Sequence, residues 1–364
     1  MLVYLDNSAT TRPSEGVIAA MTRALSEGYY NPSSMYAPAV GIEKQMNACR
    51  DKIRAALNAG DAQVIFTSGG TEANNLALLG TVGVSRPPVR IAVSAVEHPS
   101  IYDTAALLGG KECETVVIPV TKQGSVDLDA LRAELEKGLT LLSVMQVNNE
   151  TGALNDIPAI SRMVREICPT CRLHVDGVQG FLREPIDFRL IDMYTLSSHK
   201  IHGPKGVGAL VVKKGLRLKA AHTGGGQENA LRSGTENTPG ILGLSEAIDE
   251  MTALKTRRED IMSVKLHLAA ELKNAVPETL FNGPAPEDGA CHILNASFPG
   301  VRGETMLHAL EEKGVLVSTG SACSAKKSTQ AACCWKRGST ESARRARCAS
   351  PCAPTRQKKT STRP

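Results

Sequence analysis

Residues 63–80 read Gln-Val-Ile-Phe-Thr-Ser-Gly-Gly-Thr-Glu-Ala-Asn-Asn-Leu-Ala-Leu-Leu-Gly. An apolar run at 63–67 meets a Ser-Gly-Gly-Thr turn and passes into a helical pattern over 72–80. Strand, glycine turn and helix in that order open a β-α unit. The alternation recurs downstream. Apolar runs stand at 90–95, 115–119, 139–146, 172–176, 193–196 and 208–212, with another helical pattern at 127–137. Short apolar strands alternating with helices predict an α/β fold with a mostly parallel sheet. Ligands of such sheets gather at the loops beyond the carboxyl ends of the strands. A long helical pattern over 238–275 leads to a second, smaller region containing apolar runs at 292–298 and 315–317.

The chain has 364 residues, 42% of them hydrophobic, which suits one large domain or two. No run approaches the ~18 unbroken apolar residues of a membrane span. The start, MLVYLDNSATTRP, lacks the basic and apolar regions of a signal peptide, so a cytoplasmic location is expected. The ten cysteines are then expected to be free thiols. The formal charge of +5 is unevenly placed. Residues 328–364 hold nine Lys/Arg against one acid, a surplus of eight that leaves residues 1–327 at −3. An acidic body gives no reason to expect direct nucleic-acid binding.

Five strand ends carry candidate chemistry. Lys200, in Ser-Ser-His-Lys at 197–200, follows an apolar run within Gly/Pro-rich text. A lysine there is either a plain surface charge or an amine able to form a Schiff base with a carbonyl cofactor. Asp176 ends the run at 172–176. It is either a helix N-cap or a carboxylate able to hold a pyridinium nitrogen protonated, with Gln179 near the ring oxygen. The turn at 67–71 offers hydroxyls and helix-start amides to a phosphate. His98, in Val-Glu-His-Pro-Ser, could stack on a flat ring or shuttle protons. Asn148 and Asn149 offer amides to a ligand. Cys168 and Cys171 form a lone CxxC, with no second pair to complete a metal site.

In order along the chain stand Tyr4-Leu-Asp-Asn-Ser-Ala-Thr-Thr11, Asn31-Pro-Ser-Ser34, the turn at 67–75, Glu97-His98-Pro99, Asn148-Asn149-Glu150, residues 174–179, residues 197–200, Gly224-Gly-Gly-Gln227, Arg232-Ser-Gly-Thr235 and Gly320-Ser-Ala-Cys323. Together they resemble the cysteine desulfurases of the NifS/IscS kind, in the class V aminotransferase group of pyridoxal-phosphate enzymes. The resemblance covers residues 1 to about 327. It implies fold-type I, with a mostly parallel mixed sheet in a large domain (16–250) and a smaller α+β domain (1–15 plus 251–327). It also implies roles. Lys200 would carry pyridoxal 5'-phosphate and remove the substrate's Cα proton. Asp176 would pair with the ring nitrogen, Gln179 would contact the ring oxygen, and His98 would stack on the ring. Gly70, Thr71, Ser197 and His199 would hold the phosphate, and Asn149 would help hold ring and substrate. Thr235 would reach the phosphate of the other subunit of a homodimer. Cys323, on a loop of small residues, would take sulfur from L-cysteine as a persulfide, releasing alanine. It would pass that sulfur to an acceptor or iron–sulfur scaffold protein, for cluster assembly or tRNA thiolation, and could contact the cluster metal there. The alternatives are another class V reaction, such as an aminotransferase or selenocysteine lyase, or a non-catalytic dimeric cofactor-binding partner. Cys323 argues against a plain aminotransferase.

The text after Lys327 departs from that pattern. Residues 328–364 contain no Val, Ile, Leu, Met, Phe or Tyr, so they are expected to form a basic tail unable to bury a core. The strand of the Leu-Arg-Ile-Ser-Leu type, whose arginine would bind the substrate carboxylate, is missing. A two-base forward shift lets residues 356–363 encode Ala-Glu-Glu-Asp-Ile-Asp-Ala, residues 347–352 encode Leu-Arg-Ile-Ser-Leu, and residues 332–336 encode Leu-Leu-Leu-Glu. The hypothesis is a shifted reading frame near codon 327. Resequencing that finds no base gained or lost there, relative to an active relative, would sink it.

Overall fold

The computed structural model describes residues 2–110, 112–254 and 258–319. The chain opens with a short strand, β1 (Val3–Tyr4), and two helices, α1 (Glu15–Ser26) and α2 (Ala37–Leu57). Strands and helices then alternate: β2 (Gln63–Thr67), α3 (Gly70–Val82), β3 (Val89–Ser94), α4 (Pro99–Leu108), β4 (Cys113–Ile118), α5 (Leu128–Glu136), β5 (Leu141–Met145), α6 (Ile157–Ile167), β6 (Arg172–Asp176), β7 (Met193–Ser197) and β8 (Gly208–Val212). Helices α7 (Thr238–Ala253) and α8 (Arg258–Ala275) follow, then β9 (Leu280–Phe281), β10 (Ala296–Ser297), α9 (Gly303–Glu312) and β11 (Val315–Leu316).

Seven strands form one sheet in the order β2-β8-β7-β6-β5-β3-β4. Only β8 runs against its neighbours, pairing antiparallel with β2 and β7. The expected mostly parallel sheet is present. Successive residues of a strand face opposite sides, and both sides here are covered. In β8, Val211 belongs to one apolar cluster with Ile53, Val144, Val175 and Leu244. Its neighbours Leu210 and Val212 belong to the other, with Leu76, Ile91 and Ile101. Burial on both faces explains why these strands read as unbroken apolar runs rather than alternating ones.

The single helical pattern expected over 238–275 is two helices. Helix α7 packs Ile241, Leu244 and Ile248 into the large core, whereas α8 buries only Lys265 and Ala269. The two helices serve different surroundings, and the chain turns out of helical geometry at Leu254 (φ −57°, ψ 125°). The apolar run at 292–298 forms a strand only at Ala296–Ser297, antiparallel to β9. Strand β1 pairs parallel with β11, so the N-terminal strand lies beside the far end of the described chain. Among the described residues no helix is long and apolar enough to cross a membrane. The tail at 328–364, Cys323 and the reading-frame question lie outside the described residues.

Candidate active site

Strands β2, β3, β5, β6 and β7 all end at one edge of the sheet, as the pairing registers require. The loops that follow them enclose a cavity of about 180 Å³. Gly70, Thr71, His98, Asn149, Asp176, Gln179, Ser197, His199 and Lys200 line it. The predicted site residues of the described chain therefore converge, with one exception. Thr235 is exposed, outside any helix or strand, and is not part of that lining. Cys323 lies outside the described residues.

Local chemistry explains how each group is aimed. Asp176 is the last residue of β6 and is buried. Its Oδ1 accepts from the Val178 amide at 2.9 Å, and its Oδ2 accepts from Asn74 Nδ2 at 2.8 Å. The glycine after it is dictated by packing: a Cβ on Gly177 would sit 1.8 Å from Tyr194 Cζ. The Tyr194 hydroxyl is itself buried and donates to Gln146 Oε1 at 2.8 Å. Close approach also demands Gly208, where a Cβ would meet the Leu196 carbonyl at 2.6 Å and the Gly69 backbone at 2.8 Å. That contact lets the Ser-Gly-Gly turn lie directly against β8. Helix α3 starts there with a glycine N-cap and no side-chain capping bond. Its first-turn amides and positive dipole end therefore face the cavity beside Thr71 and Ser197, which suits an anion.

Lys200 follows β7, and its ammonium donates to the carbonyls of Ser8 (2.6 Å) and Ala9 (2.7 Å). The N-terminal segment is thus a wall of the site. It is pinned there by Thr11, whose amide and hydroxyl both donate to the His199 carbonyl at 2.9 Å. The Gln179 amide also donates to Ser8 O at 2.8 Å. Within the motif at 4–11, Ser8 and Ala9 supply backbone carbonyls to the site and Thr11 anchors the segment. Asp6 is close enough to Lys200 to interact, and it accepts a hydrogen bond from Ser318. Burial raises the Asp6 carboxyl, while Lys200 and Ser318 oppose that shift.

Both cavity imidazoles are shifted towards the neutral form. Burial lowers His98, with Lys200 adding to the effect against Asp176. His199 is lowered to about 4 by burial and by the charges of Lys200 and Lys205. Asn148 builds the loop that presents its neighbour: its Oδ1 accepts from the Glu150 and Thr151 amides (3.0 and 2.8 Å), and Asn149 faces the cavity. The CxxC cysteines are structural. Cys168 Sγ lies against the Leu139 amide and carbonyl, and burial pushes the Cys171 thiol well up, away from thiolate. Among the described residues one trio has metal-ligating spacing, Glu184, Cys291 and His292. Both Glu184 carboxylate oxygens, however, already accept from Arg258 Nε.

Glu97 sits behind the site, fully buried, and burial with the nearby Asp176 charge pushes its carboxyl up to about 8. Its Oε1 accepts from the Met145 amide at 2.8 Å. The folded protein therefore keeps a proton on Glu97 that the unfolded chain releases near 4.5. Stability from this group is full below that value and is lost as pH rises towards 8, at roughly 1.4 kcal/mol per pH unit. Glu97→Gln keeps the shape and the acceptor. Urea unfolding should show the wild type losing up to roughly 3 kcal/mol between about pH 6 and about pH 8, relative to the variant. Parallel pH curves for the two proteins would refute this assignment.

The residues present fit pyridoxal phosphate. A helix N-terminus and hydroxyls stand for the phosphate, a carboxylate for the ring nitrogen, and a lysine amine for the aldehyde, all on one cavity. Comparison with known proteins agrees. The family model for "Aminotransferase class-V" matches residues 3–340. The chain is 37% identical over 325 residues to "Cysteine desulfurase IscS" of Methanosarcina thermophila, covering 88% of this chain and 80% of that one. It is 35% identical over 335 residues to a NifS-type homologue from Lactobacillus delbrueckii subsp. bulgaricus, covering 91% and 86%. Among solved structures it is similar to a "NIFS-LIKE PROTEIN" (TM-score 0.84, 29% identity, 95% of this chain and 92% of that one). It is also similar to "SspA in complex with cysteine" (TM-score 0.81, 27% identity, 96% and 99%).

Proposed function

The chain belongs to the class V aminotransferase family, as a pyridoxal-phosphate-dependent cysteine desulfurase, and from that premise we propose how its own residues divide the work. The observation that carries the reading is the meeting of Lys200, Asp176, His98 and the start of α3 around one cavity. The amides of Gly70 and Thr71, with Ser197 and His199, would hold the phosphate. Asp176 would keep a proton at the ring nitrogen, Gln179 would border the ring oxygen, and His98 would cover the ring face. Asn149 would help to hold ring and substrate. When bound, the cofactor supplies an electron sink for the Cα–H bond of L-cysteine. Lys200 Nζ removes that proton and returns it, and the loops around the cavity limit water access.

Sulfur transfer is assigned to Cys323. Its thiol gives up a proton, the thiolate attacks the substrate sulfur, the S–S bond forms as the C–S bond breaks, and the electron pair left on Cβ takes up one proton, equal to that released by the thiol, to give alanine. Support comes from Ser318, which hydrogen-bonds Asp6 beside Lys200 and stands five residues before Cys323. Five residues reach at most roughly 17 Å, enough for a thiol tethered there to visit the cavity and its surroundings. We further propose a cytoplasmic homodimer in which Thr235 reaches the other subunit's phosphate. A large domain (16–250) and a small one (1–15 plus 251–327) would form each subunit. The persulfide would go to a sulfur acceptor or iron–sulfur scaffold, where Cys323 could touch the cluster metal.

The test is single-turnover labelling of the persulfide with L-cysteine, alongside alanine release. Cys323→Ala should retain the visible absorbance of bound cofactor and lose persulfide. Persulfide formation in that variant at the wild-type level would refute the assignment. If the chain after Lys327 is as written, without the carboxylate-binding arginine, cofactor binding should survive better than turnover.

A further inference from the structure

Two side chains that the reading above leaves without a role connect its carboxylate to its imidazole. Asn74 lies in α3, one turn inside the helix, and is 1% exposed. Its amide nitrogen donates one hydrogen to Asp176 Oδ2 at 2.8 Å and the other to Ser100 Oγ at 2.9 Å. Its own Oδ1 is buried without a partner among the described residues. A buried acceptor left unpaired costs about 1–3 kcal/mol. Turning the amide over would place that oxygen against the Asp176 carboxylate, so the acidic partner fixes the orientation. Ser100 Oγ is thereby an acceptor, and its own hydrogen goes to the remaining neighbour, His98 Nδ1, at 2.8 Å. The Ser100 backbone amide also donates to Nδ1 at 3.1 Å. With two donors on Nδ1, that nitrogen carries no proton.

We infer that Asn74 and Ser100 are positioning residues that transmit the charge of Asp176 to His98, locking the imidazole as the neutral Nε2–H tautomer facing the cofactor cavity. The inference rests on the reading of the cavity as a pyridoxal-phosphate site. Its chemical content is specific. Nε2 then bears the hydrogen, so His98, which lines the cavity, is a donor at Nε2 and not a free base at Nδ1. Proton abstraction from Cα is left to Lys200. Burial, which lowers His98, acts in the same direction by keeping the ring uncharged.

The experiment uses the full chain freed of cofactor and labelled with ¹⁵N-histidine. Ring ¹⁵N shifts are followed across pH, with His98→Asn to assign the signal. The wild type should show His98 as the Nε2–H tautomer. In Asn74→Ala the Ser100 hydroxyl loses its imposed direction. The Ser100 amide still donates to Nδ1, but the hydroxyl donor is weakened, so the Nδ1 shift should move and His98 should titrate at higher pH. Equilibrium affinity for pyridoxal phosphate should fall roughly 10- to 100-fold, as for other outer partners of a bound group. In an Asp176→Ala background the Asn74 change should add no further loss. A wild-type Nδ1–H tautomer, or Asn74→Ala with unchanged His98 signals and unchanged affinity, would overturn the inference. If circular dichroism shows Asn74→Ala unfolded, Asn74→Ser carries the test, since one hydroxyl can donate to Asp176 or Ser100 but not both. A chain that binds no pyridoxal phosphate would overturn the site reading instead. The apo spectra decide the tautomer independently of it.

Discussion

Lys200→Ala should abolish turnover, by about 10⁴-fold or more, the upper end for a positioned acid–base group, and should also abolish covalent attachment of the cofactor. The side chain is not a solvated surface lysine. Its ammonium is held by the Ser8 and Ala9 carbonyls, both on the cavity wall. Removing it leaves those two acceptors on a cavity that water can enter, so the fold should survive. Borohydride reduction followed by peptide mass analysis reads attachment directly: the wild type should carry the cofactor on the peptide containing Lys200. Lys205 is the nearest competitor in sequence, and it is not among the residues that line the cavity. Attachment in the Lys200→Ala variant would transfer the role to another lysine and sink the assignment.

Asp176→Ala should have the second largest effect. Its carboxylate is buried and, among the described residues, accepts hydrogen bonds from Asn74 and Val178. Removing one partner of a buried ionic pair costs about 3–5 kcal/mol. At 1.36 kcal/mol per decade that is roughly 10²–10⁴-fold in rate. Cofactor affinity should fall as well, because the ring nitrogen loses its counter-charge. Asp176→Asn is informative in a different way: its volume is retained, but it brings no charge to the ring nitrogen and no longer fixes the Asn74 amide. It should therefore fail almost as badly as the alanine variant. Equilibrium titration with pyridoxal phosphate, and turnover per bound cofactor, separate affinity from chemistry. Wild-type turnover per bound cofactor in Asp176→Ala would show that the carboxylate does not serve the ring nitrogen.

Much of this was legible in the residues alone. Strands buried on both faces announce themselves as short apolar runs, and the parallel sheet followed from their alternation with helices. The site residues were legible because each stands at the end of such a run, where a parallel sheet gathers its loops. Asp176 after Leu-His-Val and Lys200 after Ser-Ser-His are the clearest cases. The pattern over 238–275 misled, because helical periodicity cannot say that α7 and α8 bury their faces against different parts of the protein.

What the sequence determined by itself was chemical identity: a lysine, a carboxylate and a glycine-rich helix start at strand ends, in an order resembling one family. What only the tertiary structure decided was direction and partnership. Residues 8 and 9 hold Lys200 through backbone carbonyls, and every residue has a carbonyl, so no side-chain motif can announce that contact. Asn74 joins Asp176 to Ser100 and His98 across three separate loops and helices. A planar amide can satisfy two acceptors only when the fold brings both within 3 Å of it.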